Sequence, residues 1–332
     1  MRQPEVARRL AALALALVLA APAAHDAASL VVSAAFLVEF LSDGALPALD
    51  ALTPAPVRAS LGPSADRWTG GALRGAPPLL LVHGLAPEGK DDPRLARAAG
   101  LLARAGFDVT VPTLPGLTRG RLRPDDAAPV VAALATRPGP WAMLSVSIGA
   151  APAFAAAADP RVRDRVGVLL ALGPHASAAE TVRFWLTGAF EFGGASGRTP
   201  HDPALVRAFV EANADLVDAP TRAALAAGDA ARVERALAAL PPGVRALLEQ
   251  VSPARAMPAV RARVILVHGY ADPAIPYTES LRLAAARPTG TTLILLTSVG
   301  HIEAAPASPA SWAVAREILR LWLALHTLRH PA

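Results

Sequence analysis

Short apolar runs alternate with amphipathic segments along most of this 332-residue chain, and no other feature limits its fold as strongly. The run at 78–82 is short and has no polar residue, which is typical of a strand that is buried on both sides of a sheet. The apolar runs lie at 78–82, 107–111, 141–145, 166–172, 264–267 and 292–297. Helical patterns separate or follow them at 92–105, 125–135, 148–157, 278–286 and 311–325. This alternation predicts an α/β fold with a mostly parallel, twisted sheet and helices on both faces.

The alternation stops between about residues 173 and 260, where the pattern is helical. Proline-containing turns such as Asp202-Pro203 and Pro241-Pro242-Gly243 divide this stretch into short helices. Because it is inserted between two predicted strands, we expect it to form a helical lid over the carboxyl edge of the sheet. Residues 44–76 are rich in proline, glycine and alanine and predict a linker with one or two edge strands. The main domain is therefore expected to cover residues 77–330.

The amino terminus combines positive charge with a long apolar stretch. Arginines at positions 2, 8 and 9 precede an apolar run over residues 10–24, which ends near the small residues Ala21-Pro22-Ala23, and a second run covers 27–38. Three interpretations fit this pattern: a cleaved secretory signal, an uncleaved membrane anchor with a transmembrane helix, or a buried amphipathic helix. The first two make residues 1–43 a signal or membrane-anchor segment. They predict a main domain exported to the cell envelope, either membrane-anchored or secreted.

The composition rules out several kinds of chemistry. The chain has no cysteine, which excludes disulfides, thiolate metal sites and cysteine nucleophiles. The net charge is +5, but the arginines are scattered and no aromatic side chains alternate with them, so we expect no nucleic-acid partner. His, Asp and Glu do not cluster at metal-ligand spacing, and no glycine-rich loop with a lysine is present to hold phosphate. We therefore expect no metal and no cofactor.

The segment Ser145-Val146-Ser147-Ile148-Gly149 lies where a predicted strand meets a predicted helix. A serine in such a sharp turn is lifted above the sheet, and the positions two before and two after it must be small. Ser145 and Gly149 meet that requirement, although glycine is the usual first residue. The turn also directs the Ile148 N–H toward the place where an oxyanion would form. Because serine and glycine are common in any turn, the pattern alone also fits a purely structural turn.

His83-Gly84 ends an earlier predicted strand, as a loop that completes an oxyanion hole should. The Leu85 N–H would then be the second hydrogen-bond donor. His83 also has a simpler interpretation, in which its imidazole satisfies backbone groups at the strand end. That structural role and a supporting role in the oxyanion loop are compatible.

Two further candidates follow later strands. Asp272 lies in the loop after the strand at 264–267, where a carboxylate can orient a histidine, although Asp-Pro is also a common turn or capping pair. His301 follows the last strand, where it could reach Ser147, although a lone histidine is often a surface or capping residue. Glu180 is a rival for the acid, since it follows the fourth strand. Ser147, Asp272 and His301 occur in the chain order expected of a catalytic triad on this architecture.

Together these motifs resemble those of the α/β-hydrolase superfamily over residues 77–325. The resemblance implies Ser147 as nucleophile, Asp272 as orienting acid and His301 as base. It also implies that the backbone amides of Leu85 and Ile148 form the oxyanion hole.

The stretch from His268 to Pro276 is similar to that of dienelactone-hydrolase-like and serine-peptidase-like members of the superfamily. Dienelactone hydrolases use a cysteine, which this chain lacks. The resemblance implies a serine hydrolase that acts on a small-molecule carboxylic ester without a cofactor. A peptidase or thioesterase of the same fold is the nearest alternative, and a non-catalytic binding protein of this fold is another.

Overall fold

The computed structural model describes residues 27–70, 77–121, 123–199, 201, 203–227, 229–297 and 312–330. Its strands are β1 (Val57–Ser60), β2 (Ala65–Thr69), β3 (Pro78–Val82), β4 (Asp108–Pro112), β5 (Trp141–Val146), β6 (Val166–Leu172), β7 (Ala189–Phe192), β8 (Ala195–Arg198), β9 (Arg263–Gly269) and β10 (Thr291–Leu296). Its helices are α1 (27–41), α2 (Pro93–Arg104), α3 (Ala127–Ala135), α4 (Ala150–Ala158), α5 (Ala178–Thr187), α6 (Pro203–Ala212), α7 (Ala219–Leu225), α8 (Ala230–Ala238), α9 (Pro242–Gln250), α10 (Pro253–Ala256), α11 (Thr278–Ala286) and α12 (Trp312–Arg329).

Eight strands form one sheet in the order β1-β2-β4-β3-β5-β6-β9-β10. The pairs β1–β2 and β2–β4 are antiparallel, and the other pairs in this sheet are parallel. The strands β1 and β2 lie within residues 44–76, and β1 forms one edge of the sheet. The α/β architecture with a mostly parallel sheet is thus confirmed.

The sheet is buried on both faces because helices cover each of them. Leu80 and Val82 of β3 point into a core that α3 and α4 complete. Leu79 and Leu81, which alternate with them, point into a second core formed with α1, α2 and α12. All four leucine and valine side chains are fully buried. Burial of each such side chain stabilises the folded state by roughly 1.5–3 kcal/mol. Because both faces of β3 are buried, its sequence is continuously apolar.

The described residues between β6 and β9 form six α-helices, α5 to α10, and one hairpin, β7–β8. The hairpin is absent from the sequence-based assignment, although Gly193-Gly194 between two β-compatible stretches is a recognised hairpin signal. Both glycines have positive φ, at 60° and 84°, as the tight two-residue loop requires. Phe190 packs directly over Gly197, where a Cβ would lie 2.5 Å from the ring. Because the residues on each side have a helical pattern, the whole segment was predicted to be helical.

Helix α1 lies on the sheet beside α12. Phe36 is buried in the same core as the strands, and Trp322 of α12 donates a hydrogen bond from Nε1 to the Leu30 carbonyl at 2.8 Å. The second apolar run, which forms α1, is therefore packed against the sheet and α12. The first run falls within residues 1–26, outside the described residues. No helix in the described part of the chain is both long enough and apolar enough to cross a membrane.

Candidate functional site

The turn between β5 and α4 has the backbone strain of a nucleophile elbow. Ser147 has a φ of +56°, a left-handed conformation that residues other than glycine rarely adopt. A short 3-10 turn over Ser147–Gly149 leads directly into α4. Backbone strain of this kind costs about 1–3 kcal/mol and is concentrated at functional sites. The structure thus places Ser147 on the sharp turn that the sequence predicted.

The small residues around this turn are required by close backbone contacts. A Cβ on Gly149 would lie 2.3 Å from the His83 carbonyl oxygen, so no larger residue fits there. A Cβ on Gly84 would lie 3.0 Å from both the Ser147 Cβ and the Val146 carbonyl oxygen. The loop after β3 therefore lies directly against the candidate nucleophile, and Leu85, whose N–H is the expected second oxyanion donor, is the next residue. Ser145 is fully buried at the end of β5.

His83 holds this loop in place. Its Nδ1 donates to the Gly84 carbonyl at 2.7 Å, and its Nε2 accepts from the Leu114 N–H at 3.0 Å. Burial lowers the pKa of the imidazole, which favours the neutral form that this hydrogen-bond pattern requires. His83 is thus a structural residue that connects the ends of β3 and β4 beside the elbow, as the simpler interpretation of its sequence proposed.

Asp272 lies in the loop after β9 with its side chain fully buried. Its Oδ1 accepts hydrogen bonds from the N–H groups of Ala274 at 2.8 Å and Ile275 at 3.0 Å. This is the capping role that an Asp-Pro turn suggests. Its Oδ2 lies 3.3 Å from Nε2 of His268, so the second oxygen has a different environment. One carboxylate oxygen is committed to the turn, and the other belongs to a side-chain network.

His268 is a residue to which sequence reasoning assigned no role. Its Nδ1 accepts from the Ser280 hydroxyl at 2.7 Å, and its Nε2–H is 2.9 Å from the Ile275 carbonyl as well as facing Asp272. The ring is therefore fixed on both sides and presents an N–H to the candidate acid. The only sequence signal was a histidine at the end of an apolar strand, which does not indicate what it contacts.

Two candidate residues remain, His301 and Glu180. His301 lies outside the described residues, so its role stays a prediction. The chain is described up to Thr297, and β10 ends beside the acid loop, since the Tyr270 N–H donates to the Leu296 carbonyl at 2.8 Å. Glu180, the rival acid, lies on α5 and forms an ion pair with Arg183 at 3.4 Å.

The first helix of the insertion is attached to the acid loop. Trp185 of α5 donates from Nε1 to the Ala274 carbonyl at 2.6 Å. Glu279 of α11 is buried and accepts from the N–H groups of Ala176 and Ser177, at 2.8 and 2.7 Å, just before α5 begins. Burial raises the pKa of this carboxyl. These contacts hold α5 above the carboxyl edge of the sheet.

Candidate metal ligands do not gather anywhere in the described part of the chain, where no three His, Asp or Glu side chains lie close enough to hold an ion.

Comparison with known proteins defines the fold. No protein-family model and no curated protein sequence matches this chain. Among solved structures it is similar to an uncomplexed acylaminoacyl peptidase from Pyrococcus horikoshii, with a TM-score of 0.50 and 14% identity over 84% of this chain. It is also similar to a 2,6-dihydroxy-pseudo-oxynicotine hydrolase, with a TM-score of 0.50 and 15% identity, covering 88% of this chain and 72% of that one. The match spans only 41% of the peptidase. The chain thus has the α/β-hydrolase fold.

Proposed function

We propose that this protein is a serine hydrolase that cleaves a carboxylic ester through an acyl-enzyme on Ser147. The observation that carries the proposal is the left-handed backbone of Ser147, at a strand-to-helix turn against which the Gly84 loop is packed. That strain has no structural purpose that a glycine would not serve at lower cost. The likeness to solved hydrolases supports the fold on which this turn is used.

The proposed mechanism transfers the acyl group in two steps. Ser147 Oγ attacks the carbonyl carbon while His301 takes its proton, and the N–H groups of Leu85 and Ile148 stabilise the oxyanion. The ester C–O bond then breaks, and the leaving alcohol takes the proton from His301. Water attacks the acyl-enzyme, gives its proton to the same histidine, and Ser147 leaves with that proton as the acid is released. Asp272 orients His301 and offsets its transient positive charge.

Two further features belong to this proposal. The insertion between β6 and β9 acts as a lid, which the contact of Trp185 with the acid loop supports.

The protein is exported to the cell envelope, which the arginine-flanked apolar run over residues 10–24 supports. Fractionation of the producing cells tests export, and recovery of the full-length chain in the cytosol would contradict it.

A fluorophosphonate probe tests the central assignment because it reacts only with an activated serine. We expect the wild type to be labelled and Ser147→Ala to be unlabelled, with turnover lowered roughly 10⁴–10⁶-fold and folding retained. Ser60→Ala, an exposed serine on edge strand β1, is the matched control and should label normally. A folded wild type that does not label would identify a non-catalytic binding protein instead.

A substrate panel separates the remaining alternatives. Chromogenic esters, thioesters and aminoacyl amides are compared by kcat/KM, each with Ser147→Ala beside the wild type. Highest activity on esters supports the proposal. Preference for amides or thioesters would make the protein a peptidase or thioesterase with the same nucleophile.

A further inference from the structure

One peptide group connects the first helix of the insertion to the candidate catalytic acid. Trp185 of α5 donates from its indole Nε1 to the Ala274 carbonyl at 2.6 Å. The next N–H along the chain, that of Ile275, donates to Asp272 Oδ1 at 3.0 Å. The Ala274 carbonyl and the Ile275 N–H belong to the same planar peptide unit. The 274–275 peptide group therefore lies between the indole of α5 and the carboxylate of Asp272.

This peptide group can transmit both orientation and charge. Because it is planar, a contact that fixes its carbonyl also fixes the direction of its N–H. A hydrogen bond to the carbonyl also polarises the N–H of the same group, which then donates a stronger hydrogen bond. The Trp185 indole thus orients and strengthens the Ile275 hydrogen bond to Asp272, beside the one that the Ala274 N–H donates to the same oxygen at 2.8 Å.

The same loop is attached to the sheet on its other side. His268, at the end of β9, is buried, and its Nε2 lies 2.9 Å from the Ile275 carbonyl and 3.3 Å from Asp272 Oδ2. The carboxylate of Asp272 is thus held from the sheet by His268 and from the insertion by the 274–275 peptide group. The contact from the insertion depends on where α5 lies.

The indole of Trp185 is itself fixed within the insertion. It packs edge-on against Phe209 of α6, with ring centroids 4.9 Å apart and 74° between the ring planes. The start of α5 is attached to α11, because buried Glu279 accepts from two N–H groups just before α5. Trp185 also lines a narrow cleft together with Ile148, the residue after the nucleophile. A displacement of α5 would therefore move the indole away from the acid loop.

A second tryptophan shows what a purely structural indole contact looks like. Trp322 of α12 donates from Nε1 to the Leu30 carbonyl at 2.8 Å, and Leu30 lies in helix α1. That bond satisfies a half-buried indole N–H, as is usual for tryptophan. The Trp185 bond differs, because the peptide group that accepts it donates on its other side to a buried carboxylate.

We propose that Trp185 is a positioning residue for the catalytic acid and that it makes turnover depend on the position of the lid. This inference rests on the proposed serine-hydrolase function, in which Asp272 orients His301. With α5 on the acid loop, the 274–275 peptide group holds the Asp272 carboxylate in the orientation that the histidine requires. When α5 moves away to admit or release substrate, that peptide group loses its indole donor. The lid thus acts on the chemical step as well as covering the site.

Trp185→Phe tests the proposal because it removes the indole N–H and keeps an aromatic ring beside Phe209. We expect kcat to fall about 3- to 10-fold and KM to change less than about twofold, since the lost bond orients the acid. The acid limb of the kcat/KM pH profile should move to lower pH, because a less well oriented Asp272 carboxylate stabilises the imidazolium of His301 less. A higher KM with unchanged kcat and pH profile would make Trp185 a structural lid residue and overturn the proposal.

Trp322→Phe is the matched control, because it makes the same change in an indole that donates to a helix carbonyl. It should keep the wild-type kcat and pH profile. In the Asp272→Asn background, Trp185→Phe should lower kcat by less than about a further twofold, since the carboxylate through which it acts is absent. An equal effect of Trp185→Phe in both backgrounds, or an equal loss of kcat in Trp322→Phe, would overturn the proposal.

A measurement without turnover separates this inference from the proposed function. In protein labelled with ¹⁵N-tryptophan, the indole signals of Trp185 and Trp322 are identified by their absence from the corresponding phenylalanine variants. Asp272→Asn removes the negative charge that polarises the 274–275 peptide group, so the Trp185 indole proton should shift upfield and the Trp322 proton should not. That shift, in a protein whose wild type hydrolyses no ester, would refute the ester function and leave the connection between α5 and Asp272 intact. Normal ester hydrolysis without the shift would refute the connection and leave the ester function intact.

Discussion

Two loops at the carboxyl edge of the sheet begin with the same four residues. Leu-Val-His-Gly occurs at 81–84, at the end of β3, and at 266–269, at the end of β9, and an Asp-Pro pair follows each copy. In both Asp-Pro pairs one aspartate oxygen accepts from the backbone N–H groups two and three residues ahead. For Asp92 these distances are 2.9 and 3.2 Å, and for Asp272 they are 2.8 and 3.0 Å.

The two loops differ in what the second carboxylate oxygen contacts. The Oδ2 of Asp92 accepts from the side chain of Arg94 at 3.0 Å, and that arginine side chain is 67% exposed. The Oδ2 of Asp272 lies against His268 inside the protein. The histidines differ in the same way. Among the described residues, His83 bonds to backbone groups only, whereas His268 also contacts the side chains of Ser280 and Asp272. The same local motif thus builds a helix cap in one loop and a candidate catalytic acid in the other.

The largest expected difference between the loops is in turnover. Asp272→Asn keeps an oxygen for the capping bonds but cannot hold the correct tautomer and charge of a catalytic histidine. We expect kcat to fall about 10⁴-fold with little loss of stability. Asp92→Asn makes the same change in the other loop and should leave kcat near the wild-type value. Similar kcat in both variants would remove Asp272 as the acid.

A double-mutant cycle should distinguish the role of His268 from that of His83. His268→Ala removes an N–H donor from the candidate acid, so we expect kcat to fall about 10- to 100-fold. In the Asp272→Asn background, His268→Ala should lower kcat little further, because His268 acts on turnover through the Asp272 carboxylate. His83→Ala should reduce kcat independently of Asp272, since it disturbs the oxyanion loop instead. Additive effects of His268→Ala and Asp272→Asn would contradict this account.

The smallest predicted effect is on stability at low pH. Burial lowers the pKa of His83, so the unfolded chain binds a proton between about pH 6.5 and the lower native pKa, while the native chain does not. Stability should therefore fall as the pH drops below about 6.5, by about 1.4 kcal/mol for each unit of pKa shift. Urea unfolding at pH 7 and pH 5 measures this, and His83→Gln should show a smaller decrease. An equal decrease in both proteins would mean that His83 titrates normally.

Most of the fold could be predicted because its signals are local. The bounds of the strands between 78 and 172 agree with the predicted ones within a few residues, and so do those of the helix that Asp92 caps. Buried strands appear in the sequence as apolar runs, and a helix cap appears as an aspartate before a proline. The β7–β8 hairpin was missed because its signal, Gly193-Gly194, is only two residues long. The burial of 27–38 against α12 was one of three open interpretations, because an apolar helix can pack on protein or on lipid.

The site could be predicted only in part. The position of Ser147 followed from the strand-to-helix turn and the small residues around it. The hydrogen bonds of His175 and His268 were not visible in the sequence. Val251, the partner of His175, lies 76 residues away in the chain. Ser280 and Ile275, the partners of His268, are closer in the chain, but no sequence pattern shows that the loop brings them to the ring.

The sequence by itself determined the alternating architecture, the strained turn at Ser147 and the order of the candidate catalytic residues, since each depends on neighbours within a few positions. Only the tertiary structure decided which of two identical tetrapeptides adjoins a buried carboxylate network and which supports a loop. The physical reason is that hydrogen-bond partners and burial depend on strand order, and β9 lies beside β6 and β10 while β3 lies beside β4 and β5.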